Sequence, residues 1–429
     1  MLVIALILSG AAAFAACDQV PTPTLEGPPP VLVTLPASTP APVTATVPAA
    51  TPTPFVTGTT PPTPVPQSQG IGATTELWEW AETARPSALA ATASRLAAIV
   101  ADGRFVWLDA TSGHVDASAY LWTGLLQGDS WGEIYTDSVL ALVAVREQSI
   151  NPSTGLADSR ARLAVYDGQA HELWSLPELG SNHFYSAAMA SGPGIVIVGK
   201  QPEGFDDNEL AAYELFTGQK LWSVPGKDFG FQQVIHDGER IYGLLTGPIN
   251  TGVAAYDLRT GEKLWQWSNP AIPRADQIAL GDGVVDVLSA TETVSLDSAT
   301  GQERWVVGFN ALPVAGLGVH NDLLYLAPAP SPQTSFRPGI AALNAGSGQL
   351  AWHSLGGLVA NPLAAGTDAL WSVIWDYDAG EIDLSGMEPE TGLERVRLPI
   401  GHDMHATYSL VALDTRVYVL GDSLVAYGY

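Results

Sequence analysis

Cysteine is nearly missing: Cys17 is the one thiol in 429 residues. The rest of the chain can therefore form no internal disulfide, no cysteine-ligated zinc site and no catalytic thiol. Positive charge is scarce as well, with 18 Lys and Arg against 44 Asp and Glu, and none of the 18 precedes Arg85. Only Asp18 and Glu26 are acidic before residue 76, so residues 76–429 carry 42 acids and 18 bases, a net charge of −24. A field of that sign repels phosphate backbones and anionic lipid headgroups, which argues against a nucleic-acid partner. Basic peptides, divalent cations and neutral sugars stay compatible with it. From residue 76 onward nothing has the 3.6-residue periodicity of a long amphipathic helix.

The longest apolar run opens the chain, LVIALILSGAAAFAAC up to Cys17. It is shorter than the about 20 residues that span a membrane, and it has the length of a secretory signal. Ending in Ala15-Ala16-Cys17, it resembles a bacterial lipoprotein signal, whose cysteine is lipidated and becomes the mature N-terminus. That resemblance implies a signal peptide over residues 1–17, lipidation at Cys17 and a membrane anchor through the lipid. A basic region ahead of the run is missing, which points to a start upstream. Residues 18–75 then hold fifteen prolines and fourteen threonines in 58 residues. Proline fixes φ and removes a donor, so helix and sheet are both excluded and an extended, disordered polyproline-II stalk is expected. Fully extended, it reaches on the order of 150 Å. O-linked sugars on its hydroxyls are a compositional expectation.

Beyond residue 76 the chain repeats itself. AAYDLRTGEKLWQW, residues 254–267, reads as a strand, a polar turn and a second strand bearing an aromatic residue. Asp257 is placed to accept from the turn amides, Thr260 suits the turn through its hydroxyl, and Gly261 supplies the positive φ of a short hairpin. Trp265 is the residue expected to close a gap against a neighbouring sheet. Trp222, Trp305 and Trp352 stand in the same register, with Trp174 in a copy whose turn is remodelled. A sixth copy has the turn but Val396 at the aromatic place, and a seventh has the turn with Trp122 displaced. The eighth is split: Ala426-Tyr427 matches the incoming strand and Trp78 the outgoing one. A second series of short turns precedes these phrases, from Thr136-Asp137-Ser138 to Leu413-Asp414-Thr415, with a faint member at Thr92–Ser94. Both series count eight units of about 44 residues, the length of a four-stranded propeller blade. The expected fold is thus all-β: an eight-bladed β-propeller of four-stranded antiparallel blades over residues 76–429. Its last blade is closed by N- and C-terminal strands, which leaves no open ring edge.

These phrases resemble the tryptophan-docking repeat of the pyrroloquinoline-quinone-like propellers, the family of quinoprotein dehydrogenases and of BamB-type assembly lipoproteins. The resemblance implies that the tryptophans mark packing between blades. It also implies what an enzyme of this family would carry: a quinone in the central channel beneath a vicinal disulfide, a calcium ion and an aspartate base. A body without cysteine cannot make that disulfide, so a catalytic role is not expected and no cofactor is assigned.

Other constellations read as structural. DYDAGEID, Asp376–Asp383, places its glycine one position early for a calcium loop and has no Glu at the twelfth position, so a solvated hairpin is expected. His402 and His405 have no third ligand in view and read as surface histidines. The acidic loop Glu203–Glu209 is a candidate partner contact, solvation being the plainer reading. No catalytic, cofactor or metal residue is assigned, and Cys17 is the one modification site. The expectation is a monomeric, lipid-anchored module on the extracytoplasmic face of the cell envelope that binds a protein, peptide or glycan without catalysis. A quinone- or sugar-dependent enzyme and an extracellular ligand sensor are the rival readings.

Overall fold

The computed structural model describes residues 74–429 apart from stretches of connecting chain, chiefly 82–85, 122–128, 151–156, 178–183, 202–207, 309–313, 329–338 and 402–407. Cys17, the signal-like run, the Pro/Thr-rich segment, Trp122, His402, His405 and most of the Glu203–Glu209 loop lie outside the described residues.

The described strands form eight four-stranded antiparallel sheets. Seven are continuous in sequence and are numbered here as blades 1 to 7: 86–120, 129–175, 184–225, 230–269, 275–308, 314–355 and 358–401. Blade 8 joins the strand Thr75–Trp80 to three strands within 409–428, in the order first, thirty-second, thirty-first, thirtieth along the chain. The innermost strands of successive blades adjoin one another, and Ser409–Leu413 of blade 8 adjoins Pro86–Ala91 of blade 1, so the series closes into a ring. Innermost, second, third and outermost strands of a blade follow chain order, except in blade 8.

Burial explains the composition of each position. Second and third strands are covered on both faces, as in Val284–Ser289, where all six residues are buried, and Thr251–Asp257, where six of seven are. Such strands read as continuous Val, Ala, Leu and Ile runs. Outermost strands are covered on one face only and alternate, as Glu303–Gly308 does. Blade-to-blade seams are the cores: one apolar cluster joins blade 4 to blade 5 through Tyr242, Leu244, Val285 and Val287.

The turn between third and outermost strands forms as its residues dictate. The Asp257 Oδ1 accepts from the Arg259 and Thr260 amides at 3.0 and 2.8 Å and from the Thr260 hydroxyl at 2.9 Å. Gly261 takes φ 71° and its amide donates to Asp257 O at 2.9 Å. The same carboxylate contacts recur at Asp109 and Asp297. In blade 2 the turn is rebuilt: Ala170 adopts φ 58° and its amide donates to Asp167 O at 3.0 Å.

The split blade is as the sequence predicts. Trp78 pairs with Ala426 and Glu76 with Tyr427 across the first and last strands. Closure by backbone ladder leaves the ring without a free seam.

Candidate functional site

The repeated residues are committed to packing, each tying one blade to the next. The Trp174, Trp222, Trp265, Trp305 and Trp352 indole N–H groups donate to Leu215 O, Leu258 O, Ser298 O, Ala345 O and Pro389 O of the following blade, at 2.8 to 3.1 Å. Trp78 of blade 8 reaches Ala110 O of blade 1 at 3.3 Å. Each ring also lies on the next blade's turn glycine. A Cβ on Gly301 would stand 2.5 Å from Trp265 Cε3, and one on Gly261 would stand 2.5 Å from Trp222 Cε3. Gly261 and Trp265 therefore serve two different seams, although they are four residues apart.

Two irregular copies have physical explanations. Blade 1 has Ala117 at the aromatic place, and a docking side chain is supplied by Trp107 directly opposite it on the third strand. The Trp107 indole donates to Asp167 O of blade 2 at 2.9 Å, with the Arg95 guanidinium 4.6 Å above its ring. Val396 of blade 7 faces blade 8, whose third and outermost strands come from opposite ends of the chain. No covalent turn joins those strands, so there is no turn glycine for an indole to cover.

A groove of about 220 Å³ lies between blades 2 and 3. Leu176, Pro177, Val198 and Ala211 make its apolar lining; Tyr185, Tyr213, Lys200, Glu209 and Lys220 complete it. The outermost strand of blade 2, Glu172–Ser175, is only four residues long beside an eleven-residue third strand, Ala157–Asp167. Pro177 has no N–H with which to extend that ladder, and its carbonyl accepts from the Tyr185 hydroxyl at 2.9 Å. Lys220 pairs with Glu209 at 2.8 Å and lies 5.7 Å from the Tyr213 ring. That pairing holds Lys220 above the usual lysine value, and the lysine in turn lowers Glu209 against its own burial. Burial drives Tyr185 and Tyr213 upward, so both phenols stay neutral donors. The volume is below the about 300–1,000 Å³ of sites for drug-sized ligands and matches one inserted side chain.

The central channel is bordered by eight innermost strands that contain no Lys or Arg. Glu133 and Asp276 stand on two of these strands. The Tyr135 hydroxyl donates to Glu133 at 3.1 Å, and the protein around Glu133 raises its carboxyl above the ordinary range. Innermost strands are stitched across blades: the Ile278 amide donates to Gln233 Oε1 at 2.7 Å and the Val234 amide to Ser186 Oγ at 3.0 Å.

Residues 159–309 and 250–429 each match the pyrroloquinoline-quinone-like repeat family described as Outer membrane protein assembly factor BamB. Together they span more than half of the chain. The protein belongs to the BamB-type propeller family. Solved structures agree on the fold. BamB from Moraxella catarrhalis superposes at a TM-score of 0.57 with 13% identity, over 83% of this chain and 100% of that one. The computationally designed Ika8 protein gives 0.61 with 18% identity over 82% and 99%. Sqt1 of Saccharomyces cerevisiae gives 0.58 with 12% identity over 82% and 98%. No curated protein matches the chain in sequence.

Within this BamB-type ring the loops singled out from sequence are ordinary. In Asp376–Asp383, Gly380 takes φ 69° and its amide donates to Asp376 O at 2.8 Å. Arg397 reaches Asp376 at 3.3 Å and Asp383 at 3.5 Å. Asp383 is buried rather than solvated, which raises its carboxyl. Among the described residues no three His, Cys, Asp or Glu side chains come together as a metal site. Of Glu203–Glu209, Glu209 reaches the groove. Tyr185, Lys200, Tyr213 and Lys220 escaped the sequence reading; the one available signal was that two of the four lysines of an acidic chain fall at 200 and 220.

Proposed function

We propose that this propeller is a non-catalytic binding and scaffolding module, held at the extracytoplasmic face of the cell envelope by lipid on Cys17, whose partner is a protein. The observation that carries the reading is the match to a family described as an outer membrane protein assembly factor, on a ring whose repeated residues are engaged in packing rather than chemistry. Loops and grooves of such a rigid scaffold are left free for partners. The groove between blades 2 and 3 is the preferred docking point, taking one apolar or aromatic side chain of an extended partner segment. A body without cysteine supports the absence of quinoprotein catalysis.

The test places a photo-crosslinking residue at Lys200 in the full-length protein in cells, with the same residue at Glu262, exposed in blade 4's turn and outside the groove, as a control. A discrete adduct at Lys200 alone, abolished by Tyr185→Ala, supports docking in the groove; equal labelling at both positions overturns it. Cys17→Ser should move the protein from the membrane fraction to the soluble one, and continued retention refutes the anchor. Calcium and quinone added to the purified protein should give no alcohol- or sugar-dependent dye reduction. Robust turnover there returns the enzyme reading.

A further inference from the structure

Blade 5 departs from the other seven blades, which all set an uncharged, hydrophobic pair at one place in the seam. Near the start of the second strand, each blade has a residue facing a partner on the third strand at the seam with the next blade. In blades 4, 6, 7 and 8 the pair is a large aromatic against a small residue: Tyr242 and Ala255, Tyr325 and Ala342, Trp371 and Gly386, Tyr418 and Ala426. Blade 1 inverts it as Ala97 and Trp107. Blades 2 and 3 use Leu142 with Val165 and Ile197 with Ala212. The tyrosine hydroxyls converge with the docking indoles. Tyr325 and Trp352 both donate to Pro389 O and Tyr418 and Trp78 to Ala110 O, while Tyr242, donating to Asp237 at 2.7 Å, lies 3.3 Å from the Ser298 O that accepts from Trp265.

In blade 5 the pair is Asp286 and Ser295. Asp286 is fully buried. Among the described residues neither carboxylate oxygen meets a donor in full hydrogen-bond geometry: the buried Ser295 hydroxyl opposite is near enough only to favour the charged form weakly, and the nearby Thr293 hydroxyl, also buried, has no partner. The face is an apolar one: Leu288, two residues on, packs with Leu324, Leu326 and Leu343 of blade 6. The Asp286 Oδ2 and Val319 Cγ1 of blade 6 both lie within 4 Å of where a Cβ on Gly281 would stand, at 3.9 and 3.3 Å.

The charged form finds little help there. The innermost strand sets Ala279 opposite Asp286, and the neighbouring blade sends Val319 and leucines. Its His320, which ends the innermost strand of blade 6, has a buried Nε2 that also lacks a partner. From the outermost strand only Arg304 acts on Asp286, and its guanidinium is engaged with Asp297 at 2.7 Å. Burial pushes the Asp286 carboxyl up to about 7, against the smaller effects of Ser295 and Arg304. A carboxylate with so little support cannot stay ionised in a dry apolar seam: it keeps its proton or draws water in.

We propose that Asp286 is a proton-operated latch on the seam between blades 5 and 6. The neutral acid lets the apolar seam close; ionisation admits water and loosens it, uncovering Leu288, Leu324 and the Trp305 ring. The seam is tight in acid and loosens as pH rises through neutrality. This assignment stands apart from partner docking at the groove between blades 2 and 3.

Hydrogen exchange of the full-length protein tests it, reading peptides that cover 284–297 and 323–344 across about pH 5 to 8, corrected for intrinsic rates and compared with Asp286→Asn. Wild-type protection in those peptides should fall about tenfold or more over that range relative to blade 4 peptides, while the variant stays level. Carbon-13 titration of the aspartate carboxyls should show one carboxyl in the wild type titrating near neutrality that is missing from the variant. Should Asp286→Asn fail to fold, the wild-type titration decides alone. The same pH response in both proteins, or an Asp286 carboxyl that titrates in the ordinary aspartate range, overturns the latch.

Discussion

Gly301→Ala isolates the contact on which the ring depends. Gly301 has φ 71°, where an L side chain costs about 1–2 kcal/mol. Its new methyl would also stand 2.5 Å from Trp265 Cε3 and 2.6 Å from Cδ2. The indole is fixed by its bond to Ser298 O at 3.0 Å, so overpacking adds about 1–3 kcal/mol and the total is about 2–5 kcal/mol. Gly380→Ala is the matched control, with φ 69° and nothing within 4 Å of the added Cβ; it should lose only the backbone part. Trp265→Ala costs about 3 kcal/mol, the low end for a tryptophan because the ring is half-buried. The double variant removes the clash and should be less destabilised than the sum by about 1–3 kcal/mol. Denaturant unfolding followed by tryptophan fluorescence and by circular dichroism reads all four proteins. Strict additivity, or an equal cost for Gly380→Ala, refutes the claim that the glycine is there for the neighbour's ring as well as for its own φ.

Val396→Trp, which completes the repeat in sequence, should destabilise by about 1–3 kcal/mol rather than stabilise, since Val396 is buried and blade 8 offers no turn for the ring; a raised melting temperature would contradict this. Trp107→Ala should cost about 3–5 kcal/mol because that ring is fully buried, and thermal melts check it. Two acids have opposite pH signatures. Asp297 is lowered to about 2, chiefly by Arg304 and Thr260's counterpart Thr300, so its contribution is full above about pH 4 and lost as pH falls toward 2. Solvent screening at this exposed turn keeps it under about 1 kcal/mol, which Asp297→Asn should remove in acid melts. Asp286 is raised, so its contribution is full below about pH 4 and lost as pH rises to about 7, with a ceiling of about 4 kcal/mol. Asp286→Asn should flatten that slope in pH-dependent unfolding, and an unchanged slope would count against it.

The ring was legible because its stitches are local in sequence. A turn carboxylate, a turn glycine and an indole ten residues after the strand's alanine recur at fixed spacing, and each needs its residue type for a reason that a single copy discloses. Even the split blade showed, since Trp78 and Ala426 pair across the ends of the chain as the outgoing and incoming halves of one phrase. The docking partner was not legible. That Trp265 rests on Gly301 rather than on anything in its own hairpin requires knowing that blades follow one another around an axis. The same holds for Trp107, which replaces the indole missing at Ala117 from the opposite strand: across a ladder, two residues ten apart are interchangeable as sources of one ring.

The groove and the latch were illegible for a related reason. Tyr185, Lys200, Glu209 and Lys220 sit on all four strands of blade 3 and face the end of blade 2; no spacing joins them. Asp286 is harder still, because VVDVLS reads as a strand with one polar residue, and half-exposed strands carry such residues routinely. Only the register, which sets it against Ser295 where other blades set Tyr or Trp against Ala or Gly, shows that the acid lies where water is excluded. A repeat protein makes such a departure readable. Seven other blades state what the position normally holds, so a buried acid in the eighth is a local exception to a rule of packing, the kind of conflict between levels that points to function.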